Sequence, residues 1–240
     1  MPARPQRSVA ARTVPRPDFG DGNVYALEEL RECESKLLAA RQVEPDFSDA
    51  VRVDKSAEEK LRRDELWPFL VLAEHKGFPS TTRFRKPQRE EGVDLEYDFE
   101  GTWSKLQITT AYPTKGESGS GGYQFRLLME KLTNDGQAVG SGLLERKGST
   151  ILQDERCSTD REEEKACRLG FVEALRGKAH RGSSDVTLLV RAVDFVLPLG
   201  CDAECFKAIA LSSIETARPK GFASIVVLDH WKGFFVEVSR

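Results

Sequence analysis

Residues 92–112 read GVDLEYDFEGTWSKLQITTAY, and their polar members are spaced so that they could gather around a cation. Apolar Val93, Leu95, Tyr97 and Phe99 alternate with Asp94, Glu96 and Asp98, the two-residue period of a half-buried strand. Gly101 supplies a turn, and Leu106 and Ile108 continue the alternation on a return strand rich in Thr109 and Thr110. A hairpin about Glu100-Gly101 sets Leu95 against Leu106 and Val93 against Ile108. A slip of one residue would oppose every apolar side chain to a polar one. The same register sets Asp94 against Gln107 and Glu96 against Lys105, with Thr109 one step beyond on the polar side. Directly opposed Cβ atoms are about 4.5–5.5 Å apart. A carboxylate and an amide oxygen at that separation could share one divalent cation. The alternative is a solvated sheet face, on which Glu96 and Lys105 form a surface pair contributing roughly a few tenths of a kcal/mol.

The elements that must position this hairpin follow from pattern and punctuation. Residues 1–22 carry Pro2, Pro5, Pro15 and Pro17 with Arg4, Arg7, Arg12 and Arg16, and are expected to form a disordered basic tail. Residues 23–54 hold a helix, about 23–42, with Leu27, Leu30, Leu37 and Leu38 near one stripe, followed by a linker through Glu44-Pro45-Asp46. Residues 55–240 form the main α/β domain. A helical region from about Ser56 to Lys76 opens on a capping box, Ser56 with Glu59. It should kink or split at Pro68 and end at Gly77 and Pro79. After the hairpin, 115–153 reads as an insertion: a glycine- and serine-rich loop, a helix at about 123–133 and a β-ribbon within 138–153. Then follow a long helix at about 159–180, strands at 185–193, 223–228 and 234–238, and a helix at about 203–217. The fold class expected is α/β, a mixed central sheet flanked by helices.

The order helix, hairpin, helix, strand, with Asp94 on the first central strand and Gln107-Ile108-Thr109 on the second, resembles the PD-(D/E)XK, restriction-endonuclease-like nuclease superfamily. The long helix with Lys178 and the apolar strand Val186–Val190 fit that family's second core helix and fourth core strand. The resemblance covers roughly residues 56–230. It implies a restriction-endonuclease-like core in which Asp94 and Gln107 bind Mg2+ or Mn2+, with Glu65 or Glu74 on the first core helix as an accessory acid. Magnesium takes oxygen ligands and keeps several waters, and it lowers the pKa of one water while neutralising charge on a phosphate. Where the family's catalytic lysine stands, this chain has Thr109. Lys178 or Lys105 would have to position the water instead.

Two basic stretches could meet phosphates: Arg83, Arg85, Lys86 and Arg89 around Phe84, and Arg176, Lys178, His180 and Arg181. A solvated charged face is the default for each. The net charge of −3 counts against strong non-specific DNA binding but leaves room for a local basic groove. Apolar residues make up 39% and charged ones 31%, a composition typical of globular proteins, and the longest apolar run, Phe69–Ala73, falls far short of the roughly 18 residues of a membrane span. No apolar stretch follows the N-terminal arginines, so no secretory signal is expected. The five cysteines have no zinc spacing, which points to reduced thiols and a cytoplasmic setting. His75, His180 and His230 are too scattered for a metal triad, and no Gly-x-Ser-x-Gly elbow or phosphate loop is present. The leading expectation is a metal-dependent nuclease acting on DNA. The alternative is a catalytically inactive module on the same fold, binding nucleic acid or a protein partner.

Overall fold

The computed structural model describes residues 19, 22–43, 60–87, 92–113, 144–147, 150–153, 160–178, 182–193, 200–229 and 233–239. The chain enters through a short strand, β1 (Val24–Ala26), and turns directly into helix α1 (Leu27–Val43). The sequence pattern had begun this helix at residue 23. The boundary is set by Glu29, whose carboxylate accepts from the Ala26 N–H at 2.6 Å, half of a capping box. Leu27, Leu30 and Leu37 are buried, but Leu38, expected on the same stripe, is 55% exposed.

The second helical region changes character just ahead of its proline but does not break, since Leu66 and Trp67 both keep right-handed helical dihedrals. A π-helical turn, Arg62–Leu66, runs into α2 (Trp67–His75), with Pro68 as the second residue of α2, where it lacks the N–H that an upstream carbonyl would take. Gly77, at φ 66°, closes the helix. Strands β2 (Arg83–Arg85), β3 (Leu95–Phe99) and β4 (Thr102–Ala111) come next, then a separate ribbon of β5 (Leu144–Lys147) and β6 (Thr150–Gln153). They are followed by α3 (Asp160–Lys178), β7 (Val186–Ala192), α4 (Ala203–Ala217), β8 (Ser224–Asp229) and β9 (Phe234–Ser239). The ribbon falls within the expected insertion. The helix expected at about 123–133, the Ser56 cap and the four tail arginines lie outside the described residues.

Among the described residues, seven strands form one mixed sheet in the order β1-β2-β3-β4-β7-β8-β9. The first four are successively antiparallel, β4, β7 and β8 are parallel, and β9 closes antiparallel on β8. The parallel pairs require crossovers, and α3 and α4 supply them. Each sheet face has its own core. Phe171, Leu175, Phe206 and Ile209 of α3 and α4 pack on Leu188, Val190, Ile225 and Val227. Leu27, Leu30, Phe69 and Leu72 of α1 and α2, with Leu66 of the π-helical turn, pack on Leu95, Leu106, Ile108, Leu189 and Val226. Because both faces are covered, β7 and β8 read as nearly continuous apolar runs. Phe19, inside the segment expected to be disordered, packs on Tyr25 and Phe84 at ring separations of 4.9 and 5.8 Å.

Cys201 and Cys205, expected as thiols, are bonded to each other at the start of α4, with Cα atoms 5.3 Å apart. Cys33 and Cys167 are buried and in no disulfide among the described residues, and burial pushes the Cys167 thiol up to about 12. No helix among the described residues is long and apolar enough to cross a membrane.

Candidate functional site

The hairpin forms in the expected register: Leu95 pairs with Leu106 and Glu96 with Lys105. Glu100 and Gly101 both take positive φ, 55° and 82°, as a two-residue type I′ turn requires. At Asp94 the alternation breaks. The Asp94 N–H donates to Leu106 O at 2.9 Å, although Leu106 is already the partner of Leu95. Val93 then packs in the core under α3 and α4, while Leu95 packs in the core under α1 and α2. Two residues of β3 thus oppose one of β4, which is a β-bulge.

The bulge re-aims the aspartate. Its Oδ2 accepts from the Ile108 N–H at 2.6 Å, taking the place of a ladder carbonyl at the edge of β4. The expected facing of Asp94 on Gln107, and of Val93 on Ile108, is therefore not formed. Gln107 lies beside Leu188, on the face covered by α3 and α4, and is 1% exposed. Its Oε1 has no hydrogen-bond partner.

Glu65 is the acid that the charge of Asp94 reaches. It sits in the π-helical turn ahead of α2, and its pKa rises from 4.5 to about 7. Burial is the main cause and the charge of Asp94 the next, with Lys86 and Lys60 opposing them. The Glu65 Oε2 atom is buried without a hydrogen-bond partner. The turn is braced on both sides of Glu65. Arg62 bonds the buried Glu34 at 2.8 and 3.0 Å. Arg191, near the end of β7, donates to Arg63 O at 3.0 Å and lies over the Trp67 ring at 4.6 Å. Glu74, the other accessory acid considered, is exposed near the far end of α2.

Lys86 joins this pair of acids. Arg85 pairs with Glu96, so Lys86, one residue on, comes level with Leu95 beside the bulge. Phe84 and Leu95 share the α1 and α2 core, and alternation along β2 carries Lys86 to that face too. Its effect on Glu65 agrees with this placement. Its expected neighbours are otherwise engaged. Arg83 is paired with Asp98 and Arg85 with Glu96, and the two guanidinium groups lie 5.8 and 4.4 Å from the Trp103 ring. Arg89 and Arg181 lie outside the described residues.

Neither expected substitute for the missing lysine reaches the acids. Lys105 pairs with Asp185 at 3.1 Å, on the α3 side of the sheet. Lys178 is the last residue of α3, which leads into β7 on that same side. Thr109 lies beside Val190 and also faces α3. Among the described residues no three His, Cys, Asp or Glu side chains come together to hold a metal ion. The sequence pattern named Glu65 and Asp94 but gave no sign of the bulge that unites them, and it named Lys86 only as a phosphate contact. No family model, curated protein or solved structure matches the chain.

Proposed function

We propose that this chain is a metal-dependent phosphodiesterase acting on DNA, built on a restriction-endonuclease-like core, with Asp94 and Glu65 as its acids. One observation carries the reading: the charge of Asp94, re-aimed by the bulge, reaches Glu65, whose buried Oε2 has no partner. Two carboxylates that feel each other's charge and an unsatisfied oxygen suit a divalent cation, which neutralises their repulsion. Magnesium is commonly held by one or two carboxylates, with water and substrate phosphate completing the shell, so two acids are enough. Bound there, Mg2+ or Mn2+ would lower the pKa of a water and offset charge on the phosphate.

The chain's own groups have separate tasks. The Ile108 N–H fixes one Asp94 oxygen and leaves the other for a ligand. Glu65, raised to about 7 by burial and by Asp94, would hold the cation with Asp94 and give up its proton as the cation enters. Lys86 supplies positive charge to the scissile phosphate, the task that Thr109 cannot perform. Calorimetric titration of MnCl2 into the chain at pH 8 tests the metal site, and nicking of supercoiled plasmid tests the activity. Binding and nicking lost together in Asp94→Asn and Glu65→Gln are expected. Wild-type protein that neither binds manganese nor nicks would overturn the reading.

The second reading is a binding module on the same fold. Gln107 and Thr109 turned toward α3 are what favour it. DNA binding without metal affinity in the titration would select it.

A further inference from the structure

A cavity of about 260 Å³ lies between α3 and α4, on the opposite sheet face from Asp94 and Glu65. Leu169 and Val172 line it, together with Lys165, Arg168, Arg176 and Ser212. The cations are not scattered. Arg161, Lys165, Arg168, Val172 and Arg176 recur at steps of three and four, which places them on a single stripe of the helix. Arg168 closes the wall. It bonds Ser212 across the cleft and Glu164 on its own helix at 2.6 and 2.9 Å, so its charge is already matched. Arg161, Lys165 and Arg176 have no ion pair among the described residues. Glu173 flanks the stripe near Arg176 and is exposed.

We infer that this stripe is a phosphate track, a second nucleic-acid contact that takes the sugar–phosphate backbone of one strand along α3. Lys165 and Arg176 stand about 16 Å apart along the helix at a rise of 1.5 Å per residue. Cations at that separation can each meet a different phosphate of the same strand. Leu169 and Val172 between them offer an apolar floor for sugar rings and no aromatic platform for bases, so the contact is independent of sequence. The naming of nucleic acid, rather than another polyanion, rests on the proposed function; the stripe itself does not.

Fluorescence anisotropy with a labelled single strand of about 20 nucleotides, across a salt series, tests the inference. Lys165→Glu with Arg176→Glu is expected to weaken binding at least tenfold at about 50 mM salt. The slope of log affinity against log salt should also fall by about 1.4, two phosphate contacts at 0.7 each. The milder Lys165→Gln with Arg176→Gln should lose less affinity but the same slope, and it stands in if the reversed pair does not fold. Both double variants should bind MnCl2 as the wild type does, which separates the track from the acid pair. Unchanged affinity and slope in both double variants, or no wild-type binding at the lower salt, would overturn the inference.

Discussion

Glu65→Gln is expected to stabilise the protein, and to do so more as pH rises. The Glu65 carboxyl is pushed from 4.5 to about 7, chiefly by burial and then by Asp94. Below pH 4.5 the group is protonated in the folded and the unfolded chain, and it contributes no pH dependence. Between 4.5 and about 7 the folded chain holds the proton more tightly, so stability is lost as pH climbs through that window. One unit of pKa corresponds to 1.36 kcal/mol, so the full loss is about 3 kcal/mol, of which about 2.5 kcal/mol accrues between about pH 5 and pH 8. Glutamine keeps the shape without the charge. Urea unfolding at pH 5 and pH 8 should therefore show the variant's advantage widen by about 2–3 kcal/mol. Saturating Mn2+ at pH 8 should narrow the gap by stabilising only the wild type. A gap that stays constant with pH would mean that Glu65 is neither buried nor facing Asp94, and both the site and its proposed chemistry would fall with it.

Asp94→Asn keeps an acceptor for the Ile108 N–H but removes the charge that helps raise Glu65. The Glu65 pKa should move down, read as a smaller loss of stability with rising pH that levels off at a lower pH, with its onset near 4.5 unchanged. Arg191→Ala removes the bond to Arg63 O and the stack on Trp67, and should cost about 1–3 kcal/mol in urea unfolding. Arg191→Lys should restore only part of that, since an ammonium cannot both stack flat and donate along the same plane. Gly101→Val meets no neighbouring atom but must adopt φ +82°. A loss of about 1–2 kcal/mol, seen as a lower urea midpoint, would show that the type I′ turn sets the hairpin register.

The hairpin was legible because its two strands alternate cleanly and Glu100-Gly101 permits the turn the twist requires. The helices α3 and α4 and the strands β7 to β9 were legible for similar reasons. The bulge was not. Val93 and Leu95 are both apolar, so an unbroken strand facing one core reads the same as a bulged strand feeding two. Only the presence of an apolar core on each sheet face decides between them, and that is a property of the assembled sheet. Strands β1 and β2 have three residues each, too few for periodicity to show, and the arginines of Arg83-Phe84-Arg85 read as a basic stretch. Their charges are matched across the sheet by Asp98 and Glu96, a pairing that only the strand order reveals. The π-helical turn left no mark beyond Pro68, which announced an irregularity but not its geometry.

The two irregularities bear on each other. A bulge in β3 leaves an unpaired residue, and a π-helical turn departs from the better-packed α-helix; both persist only where other contacts hold them. Here one aims Asp94 and the other presents Glu65, and the bracing by Arg191 and Arg62 falls on the turn that carries Glu65. For stability alone the arrangement is poor: two like charges repel, and a buried carboxylate oxygen has no donor. A glutamine or leucine at position 65 would remove that penalty without disturbing the turn. The penalty disappears only when something positive enters, and Lys86 beside the pair supplies part of that charge. Local irregularity held in place by several independent contacts, around acids that repel until a cation arrives, is the physical ground for reading this corner of the sheet as a site rather than as a defect in the core.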